Sequence, residues 1–251
     1  MRTIDLNIDT GESFGMYTLG YDEELIKFVT SANVACGFHA GDYSVMRKTV
    51  ALAKENNVAV GAHPGLPDLQ GFGRREMRLT AQEVYDIIVY QVGALKGFLD
   101  VAGMELHHVK PHGSLYGMAH KSEEIADAIC RAVHDMNPGL YLYIMKNGVI
   151  GGMAESMGLR TVHEIYSDLS YDPEGNLVIT RSHDAHDPAQ VAERVKRMVV
   201  QNTVTATNGS DIHIQGDSVC VHGDTPGAVD IVRADRKALI DSDCKLCSPK
   251  L

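Results

Sequence analysis

Short β-branched runs alternate with longer stretches of helical periodicity almost from end to end of the chain, and this alternation constrains the fold more than any other feature. The strand-like runs are TIDLNID (3–9), SANVACG (31–37), VAVGAH (58–63), LHHVKPH (106–112), LYLYIM (140–145), TVHEIY (161–166) and SVCVHG (218–223). Helix candidates lie between them. In DYSVMRKTVALAKENN, residues Val45, Thr49, Leu52 and Ala53 fall at helical spacing. TAQEVYDIIVYQVGALKGFLDVAG opens on a Thr80/Glu83 capping box and closes at Gly103. Strand, helix, strand repeated in this way implies parallel pairing through right-handed crossovers. Seven such units in 251 residues fit one closed, seven-stranded parallel β/α barrel over residues 1–251 better than the rival open sheet. YDPEGNL (171–177) with the following VITR reads as a hairpin excursion, ATNGSDIHI as a second, and residues 241–251 are expected to form a mobile tail.

Composition narrows the function. A formal net charge of -10 argues against nucleic-acid binding driven by phosphate contacts. MRTIDLNIDTG lacks the layout of a signal peptide and no apolar run is long enough to span a bilayer, so a cytoplasmic protein without a membrane partner is expected. Five cysteines in apolar contexts read as thiols, and the CxxC of Cys244 and Cys247 has no second ligand pair beside it.

The polar residues collect at strand ends. Asp5, Asn7 and Asp9 share one face of the first strand, with Glu12 just beyond it. Later strands end in His39 and Asp42, His63 and Asp68, Lys110 and His112, Glu164 and Asp168, and His222 and Asp224. In a parallel barrel these positions gather at one rim, the face where loops carry catalysis. Any one of these histidines is more simply a hydrogen-bonded structural residue, but the set points to a shared polar site. Of Arg74 and Arg75, either can be a solvated loop residue or a clamp for a carboxylate or phosphate. Alternation turns His107 away from His108, and His120, His134, His183, His186 and His213 read as solvated. Divalent metal binding stays open: His and Asp at separate strand ends suit it, yet no HxxEH or HxH pair is present. Walker-type, GxGxxG and GxSxG signatures are absent.

IDLNIDTGESFG, SANVACGFHAGD, GAHPGLPDLQGFGRREM, YQVGALKGF, HVKPHGSLY and CVHGDTPGAV occur in this order and together resemble the LamB/YcsF family, which includes the A subunit of 5-oxoprolinase. The resemblance implies a barrel of the glycoside hydrolase and deacetylase type. It implies ATP-dependent opening of a lactam, 5-oxoproline, to L-glutamate, performed with separate B and C subunits. Carried onto this sequence, the family's positions are Asp9, Glu12, His63, Lys110 and His112 as catalytic candidates. Asp5, Asn7, Asn33, His39, Asp42, Arg74, Glu164, His222 and Asp224 follow as substrate-binding ones. On this reading Asp9 or Glu12 takes the proton from water, Lys110 and Arg74 hold phosphate or carboxylate, and His112 or His63 protonates the departing nitrogen. The chain departs from the family pattern at Ser167, Asp168 and Leu169, where a basic residue is expected, and at DAHD (184–187). The substrate, the oligomeric state and the component that binds ATP are left open.

Overall fold

In a computed structural model, which describes every residue except 179 and 181–184, the expected barrel is closed. Its staves are β1 (Arg2–Thr10), β2 (Ser31–Ala35), β3 (Ala59–His63), β4 (Leu106–Val109), β5 (Tyr141–Ile144), β6 (Arg160–Tyr166) and β9 (Ser218–His222). All pair in parallel with their neighbours, and β9 closes on β1 with Asp5 opposite Ser218 and Asp9 opposite His222. The two remaining strands before β9, β7 (Thr203–Thr205) and β8 (Asp211–His213), form the antiparallel excursion read from ATNGSDIHI. A bridge between Tyr171 and Leu177 marks the other excursion; part of VITR, and Asp184 of DAHD, lie outside the described residues.

The helices are α1 (Asp22–Leu25), α2 (Tyr43–Glu55), α3 (Ala81–Ala102), α4 (Gly113–Lys121), α5 (Glu123–Met136), α6 (Val149–Ser156), α7 (Pro188–Lys196) and α8 (Ala228–Asp241). α3 begins at the Thr80/Glu83 capping box and stops at Gly103 in the left-handed conformation. Alternation along each strand divides the chemistry between two layers. Ile4, Leu6 and Ile8 of β1, with Val34, Val219 and Val221, point outward and join the core shared with the helices. The odd-numbered residues of β1 point into the barrel, so its interior is polar while its outside is apolar.

The C-terminal segment is not a mobile tail. Cys244–Leu246 forms β10, parallel to the first residues of β1, and the Cys247 amide donates to the Ile4 carbonyl. Beyond it the Pro249 carbonyl accepts from His107 Nε2 at 2.7 Å and the Lys250 carbonyl from the Tyr141 hydroxyl at 2.7 Å. Those partners stand at strand starts, so the tail runs across the end of the barrel opposite the site. No helix of the described residues is long and apolar enough to cross a membrane.

Candidate active site at the barrel mouth

The interior is built in tiers. At the floor, Asp5 accepts from Thr30, Ser31, Ser218 and Tyr143, all within 3.2 Å. Burial raises its pKa despite those donors. Asp9 is four residues further along the strand, roughly 13 Å away at the usual rise. Asp5 therefore braces the barrel floor and does not reach the mouth as a substrate ligand, because parity fixes which face a side chain takes and not its depth.

The middle tier joins strands across the barrel. Asn7 Nδ2 donates to Glu164 Oε1 (3.0 Å) and Ser218 Oγ (2.7 Å), and Asn33 Nδ2 donates to Asn7 Oδ1 (2.7 Å) and Asp9 Oδ1 (2.8 Å). With its amide so engaged, Asn33 presents Oδ1 to His108 Nε2 at 2.6 Å. Gly61 of β3 makes room for that imidazole: a Cβ there would lie 2.2 Å from the ring. His108 shares the parity of Lys110, the signal that assigns it to the interior.

The upper tier carries the charge. Lys110 Nζ lies 2.9 Å from Asp9 Oδ1, 3.0 Å from Cys220 Sγ and 3.3 Å from Glu164 Oε1. Burial works against the ammonium, but Asp9, Cys220 and Glu164 hold its pKa well above the ordinary lysine value. Burial likewise works against the Asp9 carboxylate, which the charges of His63 and Lys110 pull well below its usual range. Asp9 Oδ2 faces His63 Nε2 at 3.2 Å and His222 Nε2 at 3.6 Å. His222 is gripped from behind: Asp168 accepts from its Nδ1 at 3.1 Å and from its backbone N–H at 2.9 Å, and also from the Thr225 hydroxyl. Burial alone would lower the His222 pKa; Asp168 and Asp9 raise it.

Asp9, His63, Arg74, Lys110, His112 and His222 line a narrow cleft at the barrel mouth. Arg74, not Arg75, belongs to it. Arg74 pairs with Asp224 at 2.9 Å, while Arg75 turns away to Asp68. Asp42 is not brought to the cleft: its carboxylate caps α2 through Ser44 N and Val45 N and accepts from Gly15 N. Asn7, Asn33 and Glu164 act one tier below. Glu12 and His39 stand together, 3.4 Å apart, against His63 and His112. Burial, reinforced by Asp224 and Asp9, holds the Glu12 carboxyl well above its ordinary value; burial and His63 hold His39 well below its own.

Three side chains escape the sequence reading as site residues: His108, Tyr166 and Cys220. Tyr166 and Cys220 have the strand parity of Glu164 and His222, a signal that points them inward. Asp168 lies just beyond β6, among the strand-end residues expected at the rim, and its contact with His222 defines what it does there. Leu169 does line the cleft where a basic residue is expected, and Arg194 of α7 donates from behind to the carbonyls of Ser167 and Leu169. Among the described residues, two clusters have ligand atoms close enough for one metal ion, Glu12/His39/His63/His112 and Asp9/Cys220/His222, each within 4.8 Å.

A closed parallel barrel with buried carboxylates, imidazoles and an ammonium at the C-terminal ends of its strands defines the class, that of the β/α-barrel proteins that work at this rim. The LamB/YcsF family model matches residues 4–250, and the chain belongs to that family. A Bacillus licheniformis relative, named as the A subunit of 5-oxoprolinase, is 48% identical over 98% of both chains. The solved lactam utilization protein of Thermus thermophilus is 43% identical, superposes with a TM-score of 0.91 and is covered in full by 98% of this chain. A polysaccharide deacetylase from Bacillus cereus, 14% identical with a TM-score of 0.54 over 100% of this chain and 93% of its own, shares the fold.

Proposed function

We propose that this chain is one component of an ATP-dependent, cytoplasmic 5-oxoprolinase that opens 5-oxoproline, or a closely related lactam, to L-glutamate together with B and C subunits. The observation that carries this reading is the full-length likeness to relatives named as the A subunit of 5-oxoprolinase. The cleft suits the chemistry. An unactivated amide is a poor electrophile, and phosphorylation of the lactam oxygen by ATP makes its ring carbon open to water. Water adds there, the ring C–N bond breaks as a proton reaches nitrogen, and a second water releases phosphate.

His222 is the best-placed group for moving protons, because Asp168 and Asp9 favour its charged form while its Nε2 faces the cleft. His63 and His112, the expected acids, each have one ring nitrogen committed to a backbone carbonyl. Asp9, an anion held by Lys110, positions both Lys110 and His222 and fixes charge beside the ring carbon. Arg74 binds the substrate carboxylate or phosphate. Replacing His222 by Gln, with the fold retained, or Asp9 by Asn, at a cost in stability because Lys110 loses its nearest partner, is expected to cut glutamate formation in the reconstituted mixture by about a hundredfold or more. Undiminished turnover in both variants would overturn these roles. A stand-alone metal-dependent amidase is the second reading, favoured by the Glu12/His39/His63/His112 cluster; glutamate formed without ATP would select it.

A further inference from the structure

The ring nitrogens at the cleft are oriented by their hydrogen bonds. His63 Nδ1 donates to the Lys110 carbonyl at 2.8 Å, and His112 Nε2 donates to the Phe72 carbonyl at 2.8 Å. Carbonyls only accept, so a ring that carries a single proton carries it there, and its other nitrogen is then a bare lone pair. Those two nitrogens, His63 Nε2 and His112 Nδ1, lie 2.9 Å apart, with Asp9 Oδ2 3.2 Å from the first. Acceptors at that separation repel unless a cation lies among them. A proton is the smallest candidate.

Two neighbours ask for more than a proton. His39 is 1% exposed, and neither of its ring nitrogens has a hydrogen-bond partner among the described residues; Glu12 Oε1 is buried and equally unpartnered. Glu12 stands 3.4 Å from His39 Nε2. Unsatisfied buried polar atoms cost about 1–3 kcal/mol each, and here His39 Nε2 and Glu12 Oε1 face each other. The His63–His112 spacing of 2.9 Å is about 0.5 Å inside the ~3.4 Å between neighbouring ligands about 2.1 Å from a shared tetrahedral ion. Anchoring the far ring N–H on a backbone carbonyl is the usual support for a metal-binding imidazole. The backbone leaves room as well: a Cβ on Gly65 would fall 2.4 Å from His39 Nδ1, and one on Gly73, at φ +62°, 2.7 Å from His39 Cβ. His39 is stacked on His112, with ring centroids 3.7 Å apart.

We propose that Glu12, His39, His63 and His112 form a binding site for one divalent transition-metal ion of the zinc class, open toward the cleft. Three imidazoles and a carboxylate select such an ion over magnesium or calcium, which prefer all-oxygen shells. There it would polarise a carbonyl oxygen or acidify a water, deepening the lactam-opening reading. The test needs no turnover, so failure of the site and failure of that reading are separable.

The full-length protein, stripped with a chelator, is titrated with Zn²⁺ and then with Co²⁺. One equivalent is expected to bind, with a raised melting temperature and a Co²⁺ spectrum free of a thiolate charge-transfer band. Glu12→Gln, His39→Gln and His112→Gln should each weaken affinity tenfold or more, and Cys220→Ser should leave it unchanged. A folded wild-type protein that binds no ion overturns the proposal. So does binding that survives all three ligand substitutions, or a thiolate band abolished by Cys220→Ser, which assigns the ion to the other cluster.

Discussion

Lys110 Nζ donates to Asp9 Oδ1 at 2.9 Å, and neither side chain is more than 3% exposed. Removing one partner of such a pair leaves an uncompensated buried charge. Lys110→Met is therefore expected to destabilise the fold by about 3–5 kcal/mol at pH 7. The lowered Asp9 pKa makes its contribution to stability complete above the unfolded-state value near 4 and lost as pH falls through the folded-state value. Urea midpoints of the two proteins should converge below pH 4; a gap independent of pH contradicts the pairing.

Asp168 acts through His222, which it holds by the ring and the backbone. In Asp168→Asn the His222 pKa, raised in the wild type, is expected to fall, so the limb of the pH–rate profile that reports protonated His222 moves toward lower pH. The stability His222 supplies is present below about pH 6.5 and lost as pH rises through its raised value, so this substitution should cost more at pH 5.5 than at pH 9. Imidazole titration by NMR reads the shift directly, and an unmoved resonance rules out the coupling.

Removing residues 244–251 deletes β10 and takes the acceptor from His107 Nε2. One buried donor left unpaired costs about 1–3 kcal/mol, and the truncated protein is expected to lose at least that much in urea denaturation. Unchanged stability would mean that the segment contributes nothing to the fold.

Asp235 of α8 is fully buried, accepts from Ser167 at 2.5 Å, and has its carboxyl pushed up to about 8 by burial. A raised carboxyl binds its proton more tightly in the folded state. Wild-type stability should therefore decline between about pH 4 and 8, by up to about 1.4 kcal/mol per unit from this group. Asp235→Asn should flatten that part of the pH–stability curve. Equal slopes would show that Asp235 is ionised in the folded state.

Periodicity makes the barrel legible because strand and helix periods are local: all seven staves and the Thr80 cap lie where the chain's pattern puts them. Parity also places Asp9, His63, Lys110 and His222 in the interior. Depth is not legible, and the pattern assigns Asp5 to the mouth although it braces the floor. Asp42 carries a competing local signal, an acidic residue just ahead of a helix, which its capping bonds satisfy. β10 is three residues long, too short for any period to register, and its place depends on contacts with β1 more than two hundred positions away. Asp168 is legible as a rim residue, but its pairing with His222 emerges only once β6 and β9 stand side by side.

The most direct measurement is glutamate release from 5-oxoproline by the purified chain, alone and with its B and C partner subunits, each with and without ATP. The expected result is glutamate only in the complete mixture with ATP, abolished by His222→Gln. Absence of glutamate in every mixture, or the same yield when this chain is omitted, would contradict the assignment of ring opening to this barrel.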